Sequence, residues 1–302
     1  MEEINHTEEQ QTESKASLSN GARRNQILRR IAIAGVIAAV ITAAFAGYYL
    51  HQERVEEKKQ EEVLKAEKVR KQKEAKTKKE KTETEEQKLE RVRSQAEEQG
   101  VPQNVIELLD KNVETVDFVA DYEKKKDKPY ADTIGADLSK GGIPELLQWD
   151  ERWGYAPYGT GIVATSGCGP TCMAMVVAGL NQDASITPAK VAAYGTEHGY
   201  VDEENNTYWR FMDEAGANWN LNSVGGLLSE EQVSAELAQG HPIICSMGPG
   251  DFTQIGHFIV LTGYENGNVK VNDPFSIKNT NTTWVFANIK DQIKAMWTFS
   301  KK

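Results

Sequence analysis

The apolar positions of the chain follow four successive patterns. From Ile31 to Leu50 the run IAIAGVIAAVITAAFAGYYL has twenty residues and no charge, about the length a helix needs to cross a bilayer. Residues 51–100 reverse this: 29 of the 50 positions are charged. Val55, Val63, Leu64, Val69, Leu89 and Val92 keep no sustained heptad there, so the spacing predicts a solvated, partly helical stalk and not a strict coiled coil. Fully helical, it would extend about 75 Å. Beyond Gly100-Val101-Pro102, residues Val105, Ile106, Leu109, Val113, Val116 and Val119 recur at helical spacing until Lys124-Lys125-Lys126 and Pro129. That pattern predicts one helix of about four to five turns, packed on the domain C-terminal to it. From near Gly141 the chain is dense in Trp, Gly and short apolar runs. PIICSM and HFIVLTGY, the turn Glu265-Asn266-Gly267-Asn268 and then VKVNDP predict strands, the last two runs forming a hairpin. Helices followed by an antiparallel sheet define an α+β class.

The expected organisation is therefore a polar tail (1–30), a membrane anchor (31–50), a charged stalk (51–100), a helical lead-in (101–140) and a main domain (141–302). Arg23, Arg24, Arg29 and Arg30 precede the apolar run and favour an internal N-terminus with the main domain outside a single-pass cell-membrane anchor. Arg54, Lys58, Lys59, Lys65, Lys68 and Arg70 follow it, so the orientation is less marked than the span. Ala44-Phe45-Ala46 also fits a signal-peptide cleavage site, followed by secretion. A thirty-residue polar leader is long for that reading and favours retention.

Charge narrows the partners. The 302 residues carry a net charge of −10, and residues 101–302 hold 15 basic against 26 acidic side chains. A nucleic-acid surface would need a basic face, so nucleic acid is excluded as an expected partner.

Three cysteines cannot form a disulfide framework, because at least one stays free. Two lie in TSGCGPTCMAMVV, Thr165 to Val177. Gly167 and Gly169 loosen the backbone before Pro170, a residue favoured at the first position of a helix. Cys168 then stands at a helix entrance, where unpaired N–H groups and the positive end of the helix dipole favour the thiolate, the nucleophilic form. Cys172 is one turn further in, beside Met175 and Val176, and reads as a small buried residue. A thiolate nucleophile needs a base, and the base an orienting group. His6 and His51 lie outside the domain, and His198 and His241 occupy polar turns. His257 opens the strand FIVLTGY, and Asp273 ends its hairpin partner, so neighbouring strands can bring carboxylate and imidazole together. Zinc on Cys168, Cys172 and His257 lacks the second Cys/His pair such sites use, and no metal or cofactor is expected.

Taken together, GIPELLQWDERWG, SGCGPTCMAMV, GHFIVLTGY and VNDPF resemble the peptidase C-39-like family, relatives of the bacteriocin-leader-processing cysteine peptidases with a papain-like fold. The resemblance spans roughly residues 141–302. ETVDFVADYEKK also resembles segments that accompany such domains in Gram-positive bacterial surface proteins. The resemblance implies Cys168 as nucleophile, His257 as general base and acid, and Asp273 as its orienter. Gln148 would donate its side-chain amide to the oxyanion with the Cys168 N–H, while Trp149 and Trp153 serve as core or cleft wall. The implied function is a membrane-anchored extracellular thiol hydrolase acting on a peptide or cell-wall peptide. Two readings stand beside it: a non-catalytic peptide- or wall-binding module on the same fold, and a surface spacer in which the stalk is the working part. Cys172 and Cys245 are either a disulfide or two buried thiols.

Overall fold

The structure, a computed structural model, describes residues 84–302 together with isolated positions between 29 and 68. The anchor expected at 31–50 and the stalk up to residue 83 thus lie outside the described residues, apart from those single positions. Among the described residues no helix is long and apolar enough to cross a membrane. The chain divides into two units, 1–83 and 84–302, and the second carries the folded domain.

This unit opens with α1, Glu85–Glu98, which begins on a capping box: Thr84 accepts from the Gln87 N–H, and the Gln87 side chain accepts from the Thr84 N–H. Such reciprocal capping satisfies two orphan donors at once. Val92 and Ala96 of this helix are buried. The last turns expected as stalk are thus part of the folded unit, because they own an apolar stripe with something to cover.

The single helix expected over 105–119 is instead a chain of short ones: α2 (Gln103–Ile106), α3 (Leu108–Lys111), α4 (Val116–Ala120) and α5 (Tyr122–Lys125). Asn112 causes the main break. Its backbone is extended, with φ −158° and ψ 112°, and its side chain caps the Glu114 N–H at 3.0 Å. Asn competes for backbone groups in this way and so starts turns and caps more readily than it continues helices. The apolar positions keep their function across the break. Val105, Ile106, Leu108, Leu109, Phe118 and Val119 join Val92, Ala96, Tyr155 and Ala164 in one core cluster.

The remainder is α+β. A two-stranded ribbon, β1 (Pro157–Tyr158) and β2 (Gly161–Ile162), precedes α6 (Val163–Ser166), α7 (Cys168–Asn181), α8 (Pro188–Glu197) and α9 (Arg210–Glu214). Then come β3 (Leu221–Gly225), α10 (Glu230–Ala238), β4 (Ile243–Met247), β5 (His257–Glu265), β6 (Asn268–Asn272), α11 (Ile277–Thr280), β7 (Trp284–Val285), α12 (Phe286–Ile289) and β8 (Ile293–Lys301). Six strands form one sheet in the order β3-β8-β4-β5-β6-β7, every neighbouring pair antiparallel.

Period-two alternation divides this sheet between two cores. Ile244, Phe258, Val260, Trp297 and Phe299 face the cluster built on α7, whereas Ile243, Cys245, Ile259, Leu261 and Val271 face the one that includes Val233 of α10 and Phe286 of α12. Helix α7 is apolar nearly all round, with every residue from Gly169 to Gly179 buried, as a helix enclosed on all sides must be. The β5–β6 hairpin closes on Asn266 and Gly267 at φ 50° and 84°, the left-handed pair that a tight hairpin turn requires.

Phe118 joins lead-in and domain. Its ring is buried, stacks on Tyr155 at 4.2 Å, and presses on Gly154, where an added Cβ would lie 2.7 Å from it. Phe118→Ala should therefore lower the unfolding free energy of the whole unit by about 3–5 kcal/mol. Urea denaturation followed by tryptophan fluorescence measures this, and an unchanged midpoint would mean that the lead-in adds nothing to the domain's stability.

Candidate active site

The entrance of α7 is shaped by two close approaches. Gly167 ends α6, its N–H bonding the Val163 carbonyl at 2.7 Å, and an added Cβ there would lie 2.6 Å from that same oxygen. At Gly169 an added Cβ would lie 2.6 Å from Thr207 Oγ1. The hydroxyl of Thr207 is itself held by buried Tyr158 at 2.7 Å. No side chain caps the first turn of α7, and Pro170 offers no N–H. Cys168 is the first residue of that turn and is partly exposed, whereas Cys172 and Cys245 are fully buried.

All three cysteines are free thiols, so of the two alternatives for Cys172 and Cys245 the structure has the buried thiols. Burial pushes both of these thiols up, Cys172 being raised further by the charges of Cys168, Asp273 and Cys245. A group that cannot ionise near neutrality is a poor nucleophile, which leaves Cys168.

His257 is the first residue of β5, and its Nε2 meets Asp273 Oδ1 at 2.7 Å. Cys168 is the other ionisable group that acts on this ring. With Nε2 committed to the carboxylate, Nδ1 is the nitrogen left for the thiol. Burial works to lower the imidazole, but the Asp273 charge, the Asp273 bond and the contact with Cys168 outweigh it and push it up to about 10. Burial likewise works to raise the Asp273 carboxyl; the charge and bond of His257, then Asn279 and the Phe275 N–H, prevail and hold it below its ordinary value.

Asp273 is fixed from every side. Besides His257, its Oδ1 accepts from the N–H groups of Phe275 at 2.8 Å and Ser276 at 3.3 Å, and its Oδ2 from Asn279 Nδ2 at 2.7 Å. The first two bonds form an Asx-type turn, the ordinary use of an Asp before proline. The turn reading and the orienting role of this residue are therefore compatible.

Gln148 is buried. Its N–H bonds the Pro274 carbonyl at 2.7 Å, and its Nε2 donates to the Ala164 carbonyl at 2.8 Å, four residues before Cys168. Its Oε1 is buried without a partner. Trp149 donates from Nε1 to the Phe275 carbonyl at 2.8 Å, and buried Trp153 donates to Leu147 O at 2.7 Å. Two of the other histidines are engaged elsewhere: His198 stacks on Tyr194, and His241 pairs with Glu236. No group of His, Cys, Asp and Glu suited to a metal occurs among the described residues.

Thus Cys168, His257 and Asp273 come together, and Gln148 is tied to the loop after Asp273 and to the turn before Cys168. Asn279, Thr207 and Tyr158 carry no signal in the sequence. Asn279 follows Asp273 by six residues in a polar stretch, and no pattern marks it there.

A helix carrying a partly exposed Cys, packed on an antiparallel sheet carrying a bonded His-Asp pair, defines a cysteine-peptidase class of fold. Residues 142–302 match the Peptidase_C39 like family, and the chain belongs to that family. No curated protein matches the chain. Among solved structures, the peptidase domain of Streptococcus ComA, a bifunctional ABC transporter involved in quorum sensing, shares 16% identity. That match covers 46% of this chain and 93% of that one, with a TM-score of 0.37. A double-glycine-motif protease from an AMS/PCAT transporter, solved with its leader peptide, shares 14% identity over 54% of this chain and 96% of that one, with a TM-score of 0.32.

Iodoacetamide at neutral pH should label Cys168 much faster than Cys172 or Cys245, as read by peptide mass spectrometry of the folded protein. Equal, slow labelling of all three would remove the case for an activated thiol at the α7 entrance.

Proposed function

We propose that this protein is a thiol hydrolase that cleaves a peptide or other amide bond through a thioester on Cys168. The contact that carries the reading is the His257 Nε2 to Asp273 Oδ1 bond at 2.7 Å, with Cys168 close enough to act on the same imidazole. An imidazole held by a carboxylate is the oriented base that a thiol nucleophile needs to take its proton.

In this mechanism the Cys168 sulfur attacks the scissile carbonyl carbon, and the carbonyl π electrons pass to its oxygen. The second Gln148 N–H and the Cys168 backbone N–H donate to that oxyanion. Such donors act on charge that exists only in the transition state, and each is worth about 10²–10³ in rate. Collapse breaks the C–N bond, and His257 gives its proton to the departing amine. Water then loses a proton to the neutral imidazole and attacks the thioester. The thiolate leaves, and the carboxylic acid product and the His257 imidazolium remain.

Cys168→Ala and His257→Ala should each abolish turnover, and combining them should cost little more than either alone, because members of one proton-transfer chain are not additive. Asp273→Asn should leave a small residual rate, and Gln148→Ala should lower kcat more than it raises KM. Assays on peptidoglycan fragments and a diverse peptide library, read by mass spectrometry with circular dichroism as the folding check, test all four. A folded Cys168→Ala protein with undiminished hydrolysis would sink the mechanism. Specific binding to peptidoglycan with no turnover by the wild type would favour a binding module.

The substrate class in this reading is a peptide or cell-wall peptide outside the cell, with the domain held at the membrane through residues 31–50. The support is the uncharged twenty-residue run, the arginines before it and the long charged segment after it. External protease on intact cells should release a fragment that begins within residues 51–83 and contains the whole of 84–302. Protection of that fragment until lysis would put the domain inside.

A further inference from the structure

Glu114 lies outside the family match, in the turn between α3 and α4, and is 163 residues from the group it binds. Its Oε2 accepts from the Ile277 N–H at 2.9 Å and its Oε1 from the Lys278 N–H at 3.1 Å. These are the first two N–H groups of α11. Asn112 locks the carboxylate in place, donating from Nδ2 to Glu114 Oε2 at 3.1 Å and to the Phe275 carbonyl at 2.6 Å. Helix α11 in turn supplies Asn279, whose Nδ2 meets Asp273 Oδ2 at 2.7 Å, and Thr280, whose Oγ1 accepts from the Asp273 N–H at 3.0 Å.

A four-residue helix does not hold itself together, since one turn fixes several dihedrals for very few hydrogen bonds. Its orphan N–H groups need an acceptor, and a carboxylate at a helix start is the favourable one. Ser276 caps the Asn279 N–H at 3.1 Å, which leaves Ile277 and Lys278 to Glu114.

From these bonds we propose that Glu114 is a positioning residue for His257. It fixes α11, α11 aims the Asp273 carboxylate through Asn279 and Thr280, and the carboxylate sets the imidazole. The lead-in then belongs to the working site and is more than a spacer before it. This inference rests on the hydrolase reading for its consequence in rate, but not for its effect on His257. The ionisable groups acting on that imidazole are Asp273 and Cys168.

The test uses the full chain labelled with ¹⁵N-histidine. The His257 imidazole is titrated by NMR without substrate, and the pH profile of kcat is recorded in parallel. A raised imidazole is charged below its folded value and loses the proton as pH rises through it. A loosened Asp273 should therefore move the midpoint and the alkaline limb of activity downward. Glu114→Ala should shift the His257 midpoint down by about one pH unit, the lower end of what a neighbouring opposite charge commands. It should also cut kcat roughly tenfold, far less than the roughly 10⁴-fold loss for an orienting carboxylate removed outright. Glu114→Gln keeps one oxygen acceptor and should fall between; should the alanine variant fail to fold, the glutamine variant decides. Asp117→Ala breaks the exposed Lys88–Asp117 ion pair of the same lead-in and should leave the midpoint unchanged. A His257 midpoint unmoved in a folded Glu114 variant, or moved equally by Asp117→Ala, overturns the proposal. A wild type that hydrolyses nothing overturns the hydrolase reading instead, and the substrate-free titration still decides the role of Glu114.

Discussion

The buried bond between His257 and Asp273 is the constraint around which the rest of the domain is arranged. Their side chains are 9% and 1% exposed, and taking two charges out of water costs more than their attraction returns unless every remaining lone pair is satisfied. Here the carboxylate receives two backbone N–H groups and the Asn279 amide in addition to the imidazole. Those donors come from one tight loop, 273–279, whose shape is the cost of keeping the pair ionised. The loop is then clamped from outside: Gln148 N–H on the Pro274 carbonyl, and Trp149 and Asn112 on that of Phe275.

That clamping also fixes where Gln148 lies. Gln148 has its backbone on the Asp273 loop and its side chain on Ala164, in the turn that leads into Cys168. A single residue thus ties α6, which precedes Cys168, to the loop that begins at Asp273. Its partnerless Oε1 is a cost of the kind that a buried amide held for its nitrogen would carry.

The strands are readable in the sequence because their signals are local. The continuous apolar runs in PIICSM and HFIVLTGY and the Asn-Gly turn specify β4, β5 and β6 with few competitors. The position of Cys168 is readable for the same reason, from glycines and a proline within three residues. The lead-in misleads because helical spacing survives a break when both sides face one core: Val105, Ile106 and Leu109 precede Asn112, Phe118 and Val119 come after it, and all five share a cluster. Asn112 with Glu114 two residues on is a capping signal present in the sequence, as is Thr84-Glu85-Glu86-Gln87 for the start of α1. The bonds from Glu114 to α11 have no such signal, since nothing in an isolated Glu tells which helix, 163 residues away, will present its N–H groups.

The three cysteines show how one residue type takes separate roles by depth. Cys245 points from β4 into the core that includes Val233 and Phe286, and Cys172 from α7 into the other, so the sheet lies between them and they serve as small apolar filling. Cys168 differs from Cys172 by one helical turn, yet that turn is the distance between a fully enclosed side chain and one at an uncapped helix start facing an imidazole. The glycines at 167 and 169 make the difference possible. With Thr207 and Val163 packed where side chains would otherwise stand, the first turn runs close against its neighbours without covering the thiol, so the exposure of Cys168 follows from which positions were left without a Cβ.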